Sequence, residues 1–307
     1  MHPAFSIIIF TTLSGLGYGL AAWLGLGLLD PAQPATKVAH VAALALIAGG
    51  LVSSTLHLGN PQRAWRAFSQ WRSSWLSREG VLAIVTFMPL TWSAYLAVFE
   101  SRWDPVIGII GTALCAVTVF STSMIYASLK SVDSWHTPWT PASYLGFAAA
   151  SGLAALAAFG AAGGASPLWP LAGGAAVLVL IAWAIKHGWR KQAVRPPLST
   201  PESATGLGHI GKVRQLEPPH MTDNYLIREM GFRVARKHAR KLWLIALVMG
   251  CGVPAALLAG LAVFPEPAGV ASVLVALMAV LSLMVGMLVE RWLFFAEARH
   301  AVMNYYR

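Results

Sequence analysis

The chain has 307 residues, of which 57% are hydrophobic and only 11% charged, with a formal net charge of +10. A soluble domain carries roughly 25% charged residues, so the composition excludes a soluble enzyme and marks an integral membrane protein. Two cysteines, Cys115 and Cys251, also exclude an iron–sulfur cluster held by this chain, since such a cluster takes about four thiolates.

Apolar runs long enough to cross a bilayer, about 17–25 residues each, cover residues 4–29, 37–57, 80–99, 105–129, 142–163, 167–186, 242–264 and 268–289, with no charge interrupting any of them. The expected fold is all-α: one bundle of eight transmembrane helices over residues 1–307, with residues 187–241 as a basic loop within it. The first run lacks a basic n-region and is too long for an h-region, so it reads as a retained helix and not as a cleaved signal peptide. Its SGLGYG stretch, with Gly15, Gly17 and Gly19, contains a small-xxx-small pair suited to close helix packing.

At the end of the second run, Ser53, Ser54 and His57 are three and four residues apart, which puts them on one helix face. A quinone head group needs hydrogen-bond partners at its two carbonyls, a route for two protons, and lipid nearby for its isoprenoid tail. A histidine suits the first two needs; one that only snorkels to the headgroups is the alternative. In the connection that follows, Arg63, Arg66, Arg72 and Arg78 alternate with Trp65, Trp71 and Trp75. This is either an interfacial belt on lipid or a docking platform, since Trp and Arg anchor buried interfaces. Glu79 opens the third run behind Ser77, the expected N-cap. The helix dipole favours an acid in the first turn, and intramembrane acids are also often functional. Tyr126, in STSMIYASLK at the end of the fourth run, lies at the depth of His57; it is a belt residue or a ligand.

The loop from 187 to 241 contains GLGHIG, but no strand precedes it and a Pro-rich stretch does, so it is not a dinucleotide fingerprint. TDNYLIREMGFRVARKHARK, with Arg236 and Lys237, reads as a basic helical lead into the seventh run that lies on lipid or on a partner. An even helix count puts both termini on one side, together with the loops 58–79, 130–141 and 187–241. Twenty of the 22 Lys and Arg residues fall on that side, leaving Lys37 and Arg102 on the other. The positive-inside rule then makes the basic face, and both termini, cytoplasmic. A docking face for an acidic partner is the competing explanation.

Of the nine histidines, His40, His57, His136, His187, His238 and His300 sit at or beyond helix ends. A bis-histidine haem at mid-membrane depth is therefore not expected; His57 with His187 is the only pair to consider, and an absorption spectrum decides it. A secondary transporter would show paired broken helices around a midplane site, for which Pro89 and Pro254 alone are too weak.

HPAFSIIIFTTLSGLGYGL, HLGNPQRAWRAF with SSWLSRE, YASLKSVDSWHTPWTP and ERWLFFAEARH together resemble the membrane-anchor subunits of dimethyl sulfoxide reductase-type molybdoenzymes, across essentially the whole chain. Within that family the likeness is greatest to the anchors of membrane-bound sulfite dehydrogenases. The resemblance implies a haem-free anchor that binds ubiquinone or menaquinone. It would hold an iron–sulfur subunit and, through it, a molybdopterin catalytic subunit, in the bacterial cytoplasmic membrane. It implies the family's functional histidine at His57, its quinone-site acid at Glu79 and its tyrosine at Tyr126. Ser54, Arg63, Arg66 and Arg78 complete the expected quinone site. Trp65, Trp71, Trp75, Arg72, Arg236 and Lys237 form the expected docking surface; lipid is the other partner and nucleic acid is not one. In dimethyl sulfoxide reductase anchors the partner side is periplasmic, whereas the charge count here makes it cytoplasmic, which favours the sulfite-oxidising branch. The expected function is the anchor of a sulfite:quinone oxidoreductase; a reductase of dimethyl sulfoxide, polysulfide or tetrathionate stays open, because an anchor does not touch the sulfur substrate.

Overall fold

A computed structural model describes residues 3–56, 60–193, 199–214, 216–217, 234–264 and 269–305. Helix α1 (Phe5–Gly25) is followed by α2 (Pro34–Thr55), a 3-10 helix (Pro61–Gln70), α3 (Trp75–Glu100) and α4 (Pro105–Ala127). Then come α5 (Trp139–Ala162), α6 (Trp169–Ala193), the short α7 (Pro201–Thr205), α8 (Val234–Leu247), α9 (Val253–Val263) and α10 (Val270–Ala296). A π-helical turn over Val248–Gly252 joins α8 to α9, and the two form one span; Pro254 has no N–H for the Gly250 carbonyl four residues back, which accepts instead from the Trp183 indole N–H at 2.7 Å. Among the described residues, eight spans are long and apolar enough to cross a membrane, as the apolar runs predict.

Prolines open α2 and α4, where a missing N–H would be unpaired in any case. Asp104 caps α4 by accepting from the N–H groups of Val106 and Ile107. Several helix ends differ from expectation, three of them with consequences for the basic end. Helix α3 begins at Trp75, not residue 80, because Ser74 is its N-cap and accepts from the Ser77 N–H at 3.4 Å. Ser77 is therefore not the cap, and Glu79 lies in the second turn, beyond the dipole argument for the first. Helices α6 and α10 run seven residues past the expected 186 and 289. Charges do enter the spans, since Lys186, Glu290 and Arg291 are inside them and pair with one another.

Helices α1 and α5 form the inner pair, being the most buried spans. Their approach depends on missing side chains: a Cβ on Gly19 would collide with the Ala148 carbonyl, and one on Gly152 with the Gly19 backbone. Gly17 is pressed in the same way against Ile47 of α2. With no hydrophobic drive between helices in lipid, such backbone contact is what holds them. Gly15 has open space beside it and plays no such part. Ser53 adds a cross-helix tie from α2, donating to Ser6 O at 3.0 Å.

The basic face is clipped together by its connections. Trp135, after α4, donates its indole N–H to Phe294 O on α10 at 3.0 Å and stacks on the Phe294 ring, 5.4 Å between centroids. The Ala301 N–H donates to Ser131 O at 2.7 Å, and the Asn304 amide to Ser199 O at 2.9 Å. YASLKSVDSWHTPWTP and ERWLFFAEARH, far apart in sequence, thus form one packed layer.

Candidate functional site at the basic end of the bundle

Glu79 is the central acid. It is 5% exposed, and its Oε1 has no hydrogen-bond partner among the described residues. Thr122 on α4 faces it, and Tyr18 and Tyr126 lie within its electrostatic reach. The register comes from α3 packing on α4, where Thr86 and Thr118 share a hydrogen bond of 2.9 Å about two turns deeper. A carboxyl oxygen left without a partner at this depth costs free energy that packing does not return, which is the usual mark of a group retained for its chemistry.

Across the bundle is a buried ionic cluster. Lys186 Nζ of α6 is 2.6 Å from Glu290 Oε1, and Arg291 Nε is 3.5 Å from Glu290 Oε2, all three side chains being at most 2% exposed. Two cations around one anion leave a net positive charge in an interior of low dielectric. Aromatic faces spread it: Lys186 Nζ is 3.3 Å from the Trp189 ring centroid, and the Arg291 guanidinium 3.8 Å from that of Tyr144. Such contacts are strongest when desolvated. The cluster reaches the surface through Arg190, which is paired with Glu297 at 3.0 Å and lies over Trp243.

Between Glu79's neighbours and Arg291 is a cavity of about 10 Å³ lined by Thr11, Ser14, Tyr18, Thr122, Tyr144 and Arg291. That is about the space one water needs. The hydroxyls of Tyr18 and Tyr144 are buried beside it without hydrogen-bond partners among the described residues. The ring of Tyr126 closes the region toward the basic face, 5.3 Å from Trp135 and 5.9 Å from Tyr144. Acid, phenols and arginine therefore form one connected polar region inside the helix ends.

The remaining expected site residues fall elsewhere. Arg63 and Arg66 are exposed on the 3-10 helix, and Arg66 lies over Trp65 at 5.6 Å. Arg78 turns back into the connection, donating to Trp71 O at 3.0 Å and Arg72 O at 2.7 Å with its guanidinium over Trp75. Arg72 and Trp71 are exposed and paired with each other; Trp75 is half-buried against Phe120 of α4. Ser54 donates its hydroxyl to Leu51 O at 2.7 Å. His57 lies outside the described residues. Arg236 and Lys237 are on α8, but their side chains are likewise outside them. Glu79 and Tyr126 are thus brought together, whereas the arginines of the connection are not added to them.

Sequence reasoning misses Tyr18, Tyr144, Lys186, Glu290 and Arg291. Counting lysines and arginines as topology markers assigns Lys186 and Arg291 to the membrane edge. The available signal was Glu290, an acid beside a base at the end of a long apolar run. Among the described residues no group of three or more His, Cys, Asp or Glu side chains is placed to hold a metal ion. His187 is exposed inside α6, His136 is exposed with Nδ1 2.6 Å from Ala127 O, and His40 is buried toward the other face.

Comparison with known proteins bears on this arrangement. The sequence model described as DMSO reductase anchor subunit (DmsC) matches residues 1–296. The sulfite dehydrogenase of Allochromatium vinosum has a subunit, designated C, that is 34% identical and aligns with 100% of this chain over 99% of its own length. The anaerobic dimethyl sulfoxide reductase of Escherichia coli has a component, also designated C, that is 26% identical over 31% of this chain and 34% of its own length. No solved structure matches the chain.

Proposed function

The chain belongs to the DMSO reductase anchor subunit family and is a multi-pass membrane anchor of an oxidoreductase, and from that premise we propose that it is the quinone-reactive anchor of a sulfite-oxidising molybdopterin/iron–sulfur complex. Full-length similarity to a sulfite dehydrogenase subunit supports the sulfite branch over the reductase branch, where the similarity covers a third of the chain. In this reading sulfite and water give sulfate in the catalytic subunit, releasing two electrons and two protons. The electrons pass through the iron–sulfur subunit to a quinone at the basic end of α2, α3 and α4. The quinone supplies the two-electron acceptor and leaves as quinol.

The chain's own residues then have defined tasks. His57 and the Tyr126 side hold the head group, and Glu79 passes protons to it. The observation that carries this assignment is the buried Glu79 carboxyl, whose Oε1 has no partner among the described residues, beside two tyrosines at the end of the bundle where partner subunits would dock. Water in the small cavity extends the proton route toward Tyr144 and Arg291. Trp65, Trp71, Arg72 and the start of α8, with Arg236 and Lys237, form the docking surface. The basic face, to which the sequence count assigns twenty of 22 Lys and Arg residues with Lys186 and Arg291 buried inside the bundle, is cytoplasmic.

Replacing His57 by alanine in the assembled complex tests the assignment. Sulfite oxidation with a soluble dye stays near the wild-type rate while quinone-coupled oxidation falls by about 100-fold, the lower end of what a proton-transfer group contributes. Equal loss in both assays, or loss in neither, removes the chain from the quinone step.

A further inference from the structure

The connection after α6 contains GLGHIG, which no dinucleotide fold surrounds and to which the proposed function gives no task. Its shape is well defined. Thr200 and Ser203 cap α7 reciprocally, the Ser203 N–H donating to Thr200 Oγ1 at 3.2 Å and the Thr200 N–H to Ser203 Oγ at 2.9 Å. Gly206, at φ +69, turns the chain into a 3-10 helix over Leu207–His209, in a backbone conformation that favours glycine. Glu202 closes the segment, its Oε1 accepting from the Val213 N–H at 3.1 Å. Thr205 donates to Pro201 O at 2.8 Å, and His209 Nδ1 lies 3.0 Å from Gly206 O. Residues 200–213 are thus a knob whose polar side chains are engaged with its own backbone.

Its large apolar side chains go the other way. Leu207 is 46% exposed and Ile210 75%; being three residues apart, they share one side of the 3-10 turn. Lys212 and Arg214 follow them, both exposed. The root of the knob is tied to the layer that closes the bundle. Asn304, buried in that layer, donates its amide to Ser199 O at 2.9 Å, and Ala301 of the same 3-10 helix donates to Ser131 O. The layer stands between the knob and the helix ends, so the knob is on the water side of the membrane boundary.

We propose that this knob docks the soluble iron–sulfur subunit, seating Leu207 and Ile210 in an apolar cleft whose rim carries carboxylates opposite Lys212 and Arg214. The partner's identity rests on the function proposed above; the surface is an addition to it. A lone exposed aliphatic side chain is ordinary. Two on one internally bonded turn form a preformed anchor, because the segment is already ordered before it binds. The cations beside them select a face of opposite charge. A second copy of this chain carries the same cations and a net charge of +10, which disfavours it as the occupant.

Crosslinking and retention assays on the whole complex test this. A benzophenone side chain placed at Ile210 is expected to crosslink in native membranes to the iron–sulfur subunit. Ile210→Glu, and separately Lys212→Glu with Arg214→Glu, are each expected to weaken retention of the soluble subunits on washed membranes about tenfold, as loss of an interface anchor does. The crosslink is read in protein with its docking charges intact, so it decides the matter whatever the other variants do to folding. A crosslink only to lipid, to a second copy of this chain or to another subunit overturns the proposal, as does wild-type retention in both variants. Subunits that stay on these variants but leave Trp65→Ala with Arg66→Ala overturn the knob and keep the broader reading. Wild-type membranes that hold no iron–sulfur subunit overturn both.

Discussion

Five arginines at the basic end of the bundle have opposite surroundings. Arg63, Arg66, Arg72 and Arg78 belong to the connection between α2 and α3, where Arg66 and Arg72 lie over the rings of adjacent tryptophans at 5.6 and 5.5 Å. Arg291, on α10, is 2% exposed and sits between the Glu290 carboxylate and the Tyr144 ring. Arg63, Arg66 and Arg72 keep their charges exposed and available to lipid or protein, while Arg78 is turned back onto the connection itself. Arg291 is enclosed, so its neighbours are a condition of the fold. The same residue type, counted identically by a topology rule, thus serves attachment in one region and internal architecture in the other.

The largest expected effect comes from the buried side of this contrast. Glu290→Leu leaves the buried Lys186 and Arg291 charges without their shared anion and is expected to cost about 3–5 kcal/mol, the usual penalty for leaving a buried charge uncompensated. Thermal unfolding of the purified complex in detergent measures it; a change under about 0.5 kcal/mol, the range of ordinary surface substitutions, would show that water reaches the cluster. Next is the α1–α5 seam, where Gly152→Leu forces side-chain atoms into the Gly19 backbone. It is expected to destabilise by about 1–3 kcal/mol or more, read as a lower yield of folded protein from membranes. The exposed side gives the smallest change in stability. Trp65→Ala with Arg66→Ala is expected to leave the melting midpoint within about 0.5 kcal/mol of wild type while loosening the attached subunits. Co-purification at low and high salt reads this out, and loss of folding with retained attachment would reverse the comparison.

The fold was largely legible from hydropathy, because eight apolar runs of bilayer length admit few other arrangements, and SGLGYG already marked α1 as a close-packing helix. Helix ends were less legible wherever a charge pairs across the bundle: Lys186, Glu290 and Arg291 look like the end of a span when each is read alone. Glu79 and Tyr126 were named from sequence, the first as an acid at the mouth of a span and the second through the family resemblance, and both lie in the buried polar region at that mouth. Tyr18 and Tyr144 were not, because a tyrosine inside an apolar helix carries no local sign that its hydroxyl will lack a partner. The tryptophan–arginine connection was readable as a segment, yet its chemistry is set by what it meets outside this chain.

The central claim is that Glu79, unlike the buried Glu290, serves the quinone reaction and not the architecture. Glu79→Gln keeps the side chain's size and removes its proton exchange, so parallel assays of the assembled complex with a soluble dye and with quinone test the claim directly. The account predicts an unchanged dye-coupled rate and quinone-coupled turnover reduced by about 100-fold or more. Equal rates for variant and wild type with quinone, or equal losses in both assays, would contradict it.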